Sequence, residues 1–266
     1  MSQAQAAAFH ALHRDFLLLP NAWDAASARL TQEHGAKAIA TSSAAVAWAH
    51  GFADGNQFPI AKLVTVIEDI ARSVSVPIST DVEGGYTDDP KQVAENVTAL
   101  INSGAVGINL EDATAAHDLH LRKIEAVREA AVRAGVDLFI NARTDVYLQK
   151  LVPGEQAVEE TLRRAAAIKN SGASGLFVPG VVIESEIATI AERCGMALNV
   201  IAWPGLPDAA KLKALGAKRL SAGASIFAAA MEGMRAATVD FLATGSSATL
   251  WPRRGEQLNY NKLFGG

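Results

Sequence analysis

One cysteine, Cys194, is all that this 266-residue chain contains, which excludes an intrachain disulfide framework and any cysteine-built metal cluster. Long hydrophobic runs are lacking too, and none approaches the roughly 20 apolar residues that a bilayer-spanning helix needs. No basic run is present: 24 Lys and Arg stand against 28 Asp and Glu, a formal charge of −4. Neither nucleic acid nor an anionic membrane is therefore expected as a partner. The N-terminal stretch Met1-Ser-Gln-Ala-Gln-Ala-Ala-Ala-Phe-His has neither the basic start nor the apolar core of a secretory signal. A cytoplasmic, soluble protein is the expectation. No Gly-x-Gly-x-x-Gly follows the first strand-like run, which counts against a dinucleotide-binding sheet. Nothing before residue 240 reads as a linker or a low-complexity segment.

What the chain does contain is a regular alternation. Half of its residues are hydrophobic and 20% are charged, an ordinary globular balance. Short apolar runs at 16–21, 38–43, 76–81, 107–111, 138–143, 175–179, 198–202 and 219–222 alternate with alanine-rich amphipathic stretches such as 90–103, 120–134 and 154–171. Four stretches lead into a similar phrase: His34-Gly-Ala, Ser103-Gly-Ala, Ser171-Gly-Ala and Leu215-Gly-Ala. Glycine there reads as a helix C-cap, since it takes the left-handed conformation without a Cβ clash. A βα unit recurring about eight times, with strands apolar enough for burial on both faces, predicts a closed parallel (β/α)8 barrel. A doubly wound open sheet is the alternative. The barrel is assigned to residues 1–243. Residues 244–266 form a tail whose Trp251, Tyr260, Leu263 and Phe264 predict docking on the barrel or on a neighbouring subunit.

The chemistry concentrates at strand ends. In Ser79-Thr-Asp-Val-Glu-Gly-Gly-Tyr86, a short strand breaks into a glycine turn while presenting Asp81 and Glu83. Residues two apart on a strand point to one side. The next run, Gly107-Ile-Asn-Leu-Glu-Asp112, ends in two more acids, Glu111 and Asp112. Carboxylates gathered at neighbouring strand ends suit a hard divalent cation such as Mg²⁺. Because barrel chemistry sits at the C-terminal strand ends, the same mouth collects Asn21, Trp23, Asp24, Thr41, Ser42, Ser43, Asn141, Arg143, Asp145, Asn199, Ser221 and Gly223. Arg143 is read as the anchor of a substrate carboxylate, which guanidinium pairs through two parallel hydrogen bonds, or else as a structural ion pair with Asp145. Asp24 with Ser27 reads equally as a helix start, and Trp23 and Trp48 as rim packing. Cys194, ending a helix before Gly195, lies away from the mouth.

With these residues in place the chain resembles the isocitrate lyase / phosphoenolpyruvate mutase superfamily from about Leu19 to Met234. The phrases that carry the likeness are Asn21-Ala-Trp-Asp-Ala-Ala-Ser-Ala, Thr41-Ser-Ser-Ala-Ala-Val-Ala, Asp81-Val-Glu-Gly-Gly-Tyr, Gly107-Ile-Asn-Leu-Glu-Asp and Asn141-Ala-Arg-Thr-Asp. The resemblance implies a Mg²⁺-assisted enzyme (Mn²⁺ shares the same ligands) acting on small 2-oxo or 2-hydroxy carboxylates through a pyruvate-type enolate. It implies that Asp81 binds the metal, with Glu83 and Glu111 supporting it through water. Arg143 would hold the substrate carboxylate, with Ser42, Ser43 and Ala44 cradling its oxygens and Trp23 beside them. Asp54, in Gly51-Phe-Ala-Asp-Gly, stands where the family has an aspartate near the reacting centre, and Asn199 matches a family asparagine. A homotetramer, a dimer of dimers exchanging the last barrel helix, is implied as well.

The departures narrow the function. The family's Asp-x-Asp-x-Gly-Tyr-Gly becomes a motif with Glu83 at the second acid and Thr87 at the last glycine. The lyases' Lys-Lys/Arg-Cys-Gly-His loop is replaced by Glu111-Asp-Ala-Thr-Ala-Ala-His-Asp-Leu-His, without cysteine. A glutamate after strand six gives way to Pro179-Gly180. His117 and His120 in that loop are the candidate proton donors, His117 first, with a solvated helix start as their bland reading. The expectation is a C–C lyase or decarboxylase of a small 2-oxo or 2-hydroxy dicarboxylate. A P–C bond enzyme of phosphonopyruvate type and a carboxylate-binding protein without turnover are the alternatives.

Overall fold

Pro20 decides the form of the first strand. The computed structural model describes residues 2–250 and 258–265. In it the expected run 16–21 becomes two pieces, β1 (Leu17–Leu19) and β2 (Asn21–Ala22). Proline has no N–H to give to a ladder. Seven further strands follow: β3 (Ile39–Thr41), β4 (Ile78–Asp81), β5 (Gly107–Glu111), β6 (Phe139–Arg143), β7 (Gly175–Phe177), β8 (Ala197–Ile201) and β9 (Arg219–Ser221). All pair in parallel in the order β1-β9-β8-β7-β6-β5-β4-β3-β2. The two halves of the first strand thus sit at opposite ends of one sheet, which makes a nearly closed barrel. Asn21 spans the break. Its Oδ1 accepts from Ala222 N at 3.0 Å and Gly223 N at 2.9 Å, while its Nδ2 donates to Thr41 O at 2.8 Å.

Helices alternate with the strands: α1 (Ser2–Leu12), α2 (Ala25–Glu33), α3 (Ser43–Ala49), α4 (Ile60–Ser73), α5 (Pro90–Asn102), α6 (His117–Arg133) and α7 (Ala157–Asn170). They continue with α8 (Glu184–Arg193), α9 (Ala209–Ala214), α10 (Ser225–Thr244) and α11 (Tyr260–Phe264). Asp24 and Ser27 form a reciprocal capping box at the start of α2, the bland reading weighed for that pair. Gly35, Gly104, Gly172 and Gly216 all take positive φ after their helices, as the repeated phrase predicts. Among the described residues no helix is long and apolar enough to cross a membrane.

Strand side chains are buried on both faces, as a barrel wrapped in helices requires: Ile108, Leu110, Ile140, Leu176, Leu198 and Val200 have no exposed surface. The far end is closed by α1, for which the sequence pattern predicts no role. Phe9 meets Phe139 edge-on at 5.4 Å, and His13 stacks on the same ring at 3.9 Å. Gly107 leaves room for this plug, since a Cβ there would come within 2.6 Å of the Phe9 ring. With one end plugged, the strand C-termini are left as the working mouth.

Candidate active site

Asp81 closes β4 and meets the start of α3. Its Oδ2 accepts from Ser43 N at 3.2 Å and Ser43 Oγ at 3.0 Å, and its own N–H donates to Thr41 Oγ1 at 3.0 Å. The chain then turns sharply. Glu83 takes φ +50° and Tyr86 φ +66°, strained values for non-glycine residues, and Gly85 takes φ +91°. A Cβ on Gly85 would lie 2.7 Å from the Val93 methyls. Glu111 N donates to Glu83 O at 2.9 Å, so the turn extends the β4–β5 ladder and brings both glutamates to one side. Lys123, buried, donates to Gly84 O at 2.8 Å and lies 3.2 Å from Asp88, which pins the turn from behind. Asn56 N–H donates to Glu83 Oε2, and Asn56 Oδ1 accepts from Tyr86 N at 3.2 Å. The exposed loop that carries Asp54 is thereby laid across the same turn.

Arg143 faces these acids. It grips Asp145 through Nε at 2.7 Å and Nη2 at 3.0 Å, and its Nη1 lies 2.5 Å from Glu111 Oε2. The ion pair with Asp145 is present, and it holds one guanidinium edge while the other reaches the acid cluster. Burial works against the charged form of Arg143, but Glu111 and Asp145 outweigh it and raise its pKa.

Arg143 pairs with Glu111 and Asp145, and Asp81 and Glu83 add two further carboxylates beside them. Burial, against the Asn56 amide and with the charges of Asp81 and Asp54, pushes Glu83 up to about 7. Burial also lifts Glu111 to about 8; Arg143 opposes it while Asp81, Asp145 and Glu83 add to it. Glu83 Oε1 is buried without a partner. An oxygen-only donor set with excess negative charge and an orphan carboxylate oxygen fits a hard divalent cation.

The structure brings Asp81, Glu83, Glu111, Arg143 and Ser43 together, with the charge of Asp54 acting on Glu83. Ser42 caps α3 through Ala45 N at 3.4 Å, and Ala44 follows in the first turn of that helix. Trp23 packs edge-on to Phe227 at 5.1 Å, and Trp48 lies 5.9 Å from the same ring, the packing role weighed for both. Asn199 lies within the barrel, fully buried, and donates to Val200 O and Ser221 Oγ.

Asp112 departs from the four-acid reading. It accepts from Thr144 Oγ1 at 2.7 Å, Asp145 N at 2.9 Å and Arg164 Nη1 at 2.7 Å, and so latches the loop after β6 to α7. His117 begins α6 rather than preceding it. The charges acting on it are those of Arg164, Arg163, Asp112 and Glu160, and it joins Asp112 and His120 rather than the acids around Asp81. The sequence pattern does not single out Asn56, Lys123 or Arg164, and Tyr86 stands in it only as the end of the Asp81–Tyr86 motif. Lys123 and Arg164 sit on helices whose charged residues read as solvated faces, so only the packing could reveal them.

The sequence model of the phosphoenolpyruvate phosphomutase family matches residues 9–242. The chain belongs to that family, within the superfamily of phosphoenolpyruvate mutases and isocitrate lyases. An uncharacterized protein of Mycobacterium tuberculosis is 31% identical over 225 residues, covering 84% of either chain. The crystal structure of a candidate phosphonomutase of Burkholderia cenocepacia J2315 is 40% identical, with a TM-score of 0.84 over 88% of this chain and 98% of its own. An oxaloacetate decarboxylase of Pseudomonas fluorescens is 27% identical over 61% of this chain and 58% of its own. The wider set of similar proteins includes 2-methylisocitrate lyase, 2,3-dimethylmalate lyase and a phosphonopyruvate hydrolase crystallised with oxalate and Mg²⁺. The superfamily thus comprises lyases and mutases of C–C and P–C bonds.

Proposed function

We propose that the protein is a Mg²⁺-dependent lyase or decarboxylase that cleaves a C–C bond of a small 2-oxo or 2-hydroxy (di)carboxylate. The observation that carries this reading is the meeting of Asp81, Glu83 and Glu111 with Ser43 and Arg143 at one mouth. Asp81 would hold the cation, with Glu83 and Glu111 supporting it; Mn²⁺ suits the same oxygens. When bound, the cation would draw charge from a 2-oxo oxygen, where bond cleavage develops it. Arg143, fixed by Asp145 and paired through Nη1 with Glu111, would meet the substrate carboxylate with the N–H groups those two acids leave over. Ser42, Ser43 and Ala44 at the start of α3 line the position of its oxygens, with Trp23 at the rim. The loop bearing Asp54 is tied to the Glu83 turn through Asn56, and Asp54 would stand near the reacting centre from there.

One feature favours decarboxylation or simple lysis over isocitrate cleavage: the loop after β5 lacks the lyase cysteine. The test is pyruvate formation from oxaloacetate, substituted malates, methylisocitrate and phosphonopyruvate, with Mg²⁺ and with chelator. Metal-dependent turnover of one C–C substrate, lost in Asp81→Ala, is the expected result. Phosphate release from phosphonopyruvate would instead favour a P–C enzyme, the reading that the likeness to a candidate phosphonomutase supports. Oxalate binding with no turnover of any acid would leave a carboxylate-binding protein.

The same reading includes a homo-oligomer, a dimer of dimers built by exchange of α10. Phe227 alone of that twenty-residue helix is described as buried, while Met234, Val239, Phe241 and Leu242 are exposed. A groove of about 1010 Å³, lined by Leu12, Leu18, Leu30, Leu220 and Ile226 among others, lies beside β1 and β9, where an eighth barrel helix would pack. The exposed apolar side chains of α10 in a second copy would fill it. Tyr260 and Phe264 in the tail are exposed as well, and the tail is proposed to dock on that neighbour; Trp251 falls outside the described residues.

A further inference from the structure

Beside the acid cluster, where β5 gives way to α6, Asp112, His117 and His120 each bring one ligand atom within 4.8 Å of the others. We propose that these three residues form a second metal site, for a borderline ion such as Zn²⁺, separate from the oxygen cluster around Asp81. The proposal is independent of the lyase assignment.

Donor chemistry separates the two sites. Two imidazoles and one carboxylate are a zinc set, whereas Mg²⁺ takes oxygen. His117 and His120 are three apart on α6 and so share one face of the helix. His120 has no exposed surface, and its Nε2 lies 3.0 Å from Leu110 O. A proton on Nε2 satisfies that carbonyl and leaves Nδ1 as a bare lone pair, buried and without a partner. Ligating histidines are oriented in this way, with one nitrogen tied to a carbonyl and the other offered to the ion.

His117 reinforces the case, for both of its ring nitrogens are shut off from water without a hydrogen-bond partner. Buried polar atoms left unpaired are unfavourable, and an ion would satisfy one of them. Burial lowers the pKa of both imidazoles, His120 to about 4, which favours the neutral form that ligates an ion. Asp112 has room as well. A carboxylate offers about four acceptor positions, and Thr144, Asp145 and Arg164 take three.

Arg164 opposes a cation here, although Glu160, 2.7 Å from it, offsets part of its charge. Affinity weaker than that of a closed structural zinc site is therefore expected. Three protein ligands leave a coordination position open. An ion held by Asp112 and the first turn of α6 would also fix the intervening 113–116 loop, in which Ala113 takes φ +43°.

The test is titration of chelator-treated protein with Zn²⁺ by calorimetry, and with Co²⁺ by visible absorption, in saturating Mg²⁺. Expected are one equivalent of Zn²⁺ per chain, a rise in Tm with Zn²⁺, and a Co²⁺ spectrum of mixed N/O ligation. His117→Gln, at a partly exposed position, should fold and lose that equivalent, while Asp81→Ala should retain it. His120→Asn serves as a second variant, with circular dichroism confirming that it folds; if it does not, His117→Gln decides alone. No binding, unchanged binding in His117→Gln, or loss confined to Asp81→Ala would each overturn the proposal.

Discussion

Ser43 gives Asp81 Oδ2 two hydrogen bonds at once, one from its backbone amide and one from its hydroxyl. The start of α3 thereby holds one acid oxygen, leaving Oδ1 to other partners. Removing the hydroxyl in Ser43→Ala keeps the amide bond and loosens the carboxylate. We expect Mg²⁺ affinity to fall on the order of 10-fold, as for other groups that orient a metal ligand. A Mg²⁺ titration of activity or calorimetry checks it; an unchanged midpoint would show that the hydroxyl does not orient Asp81.

Glu83 and Glu111 tie stability to pH. Their folded pKa values, about 7 and about 8, lie above the ordinary value of about 4.3. The folded state therefore holds protons that the unfolded state releases. Their contribution is fully present below about pH 4.3 and is lost as pH rises toward 8. Metal-free protein should lose Tm between pH 5 and 8, and saturating Mg²⁺ should flatten the decline. A set of melting curves decides it; a flat profile without metal would contradict the charge balance described here.

Asp112→Ala should cost about 3 kcal/mol, in the range for breaking one side of a buried ion pair. Arg164 keeps Glu160 but loses its inner partner, and Thr144 and the Asp145 amide lose their acceptor. Urea unfolding measures the cost. A loss below about 1 kcal/mol, the usual worth of a surface pair, would mean that the latch carries little.

Arg143→Lys keeps the charge but cannot grip Asp145 through two parallel bonds while reaching Glu111. On the proposed substrate we expect kcat/KM to fall by about 100-fold, roughly 2.7 kcal/mol at 1.36 kcal/mol per decade. Steady-state kinetics tests this. Activity within a factor of two of the parent would remove Arg143 from the carboxylate-binding role.

Leu242→Glu places a charge on the exposed apolar side of α10, where Leu242 is 78% exposed. If a second copy buries this helix, the variant should have a smaller mass by light scattering and a lower Tm. An unchanged mass would set aside the exchange of α10.

The alternation of apolar runs, the glycines that end helices and the acids at strand ends are local patterns, and they determined the parallel barrel and the residues at its mouth. Asp81 and Glu83 were legible because strand periodicity places alternate residues on one side. Periodicity does not say what lies opposite. Glu111 and Asp112 are neighbours in one motif, yet Glu111 reaches Arg143 while Asp112 reaches Arg164, fifty-two residues away. His117 reads as a loop residue near the acids, but α6 begins there and turns it toward Asp112 and α7. Lys123 looks like one more charge on a polar helix face until the β4 turn folds over it. Such pairings depend on long-range contacts that a local pattern cannot encode, and only the tertiary structure decided them.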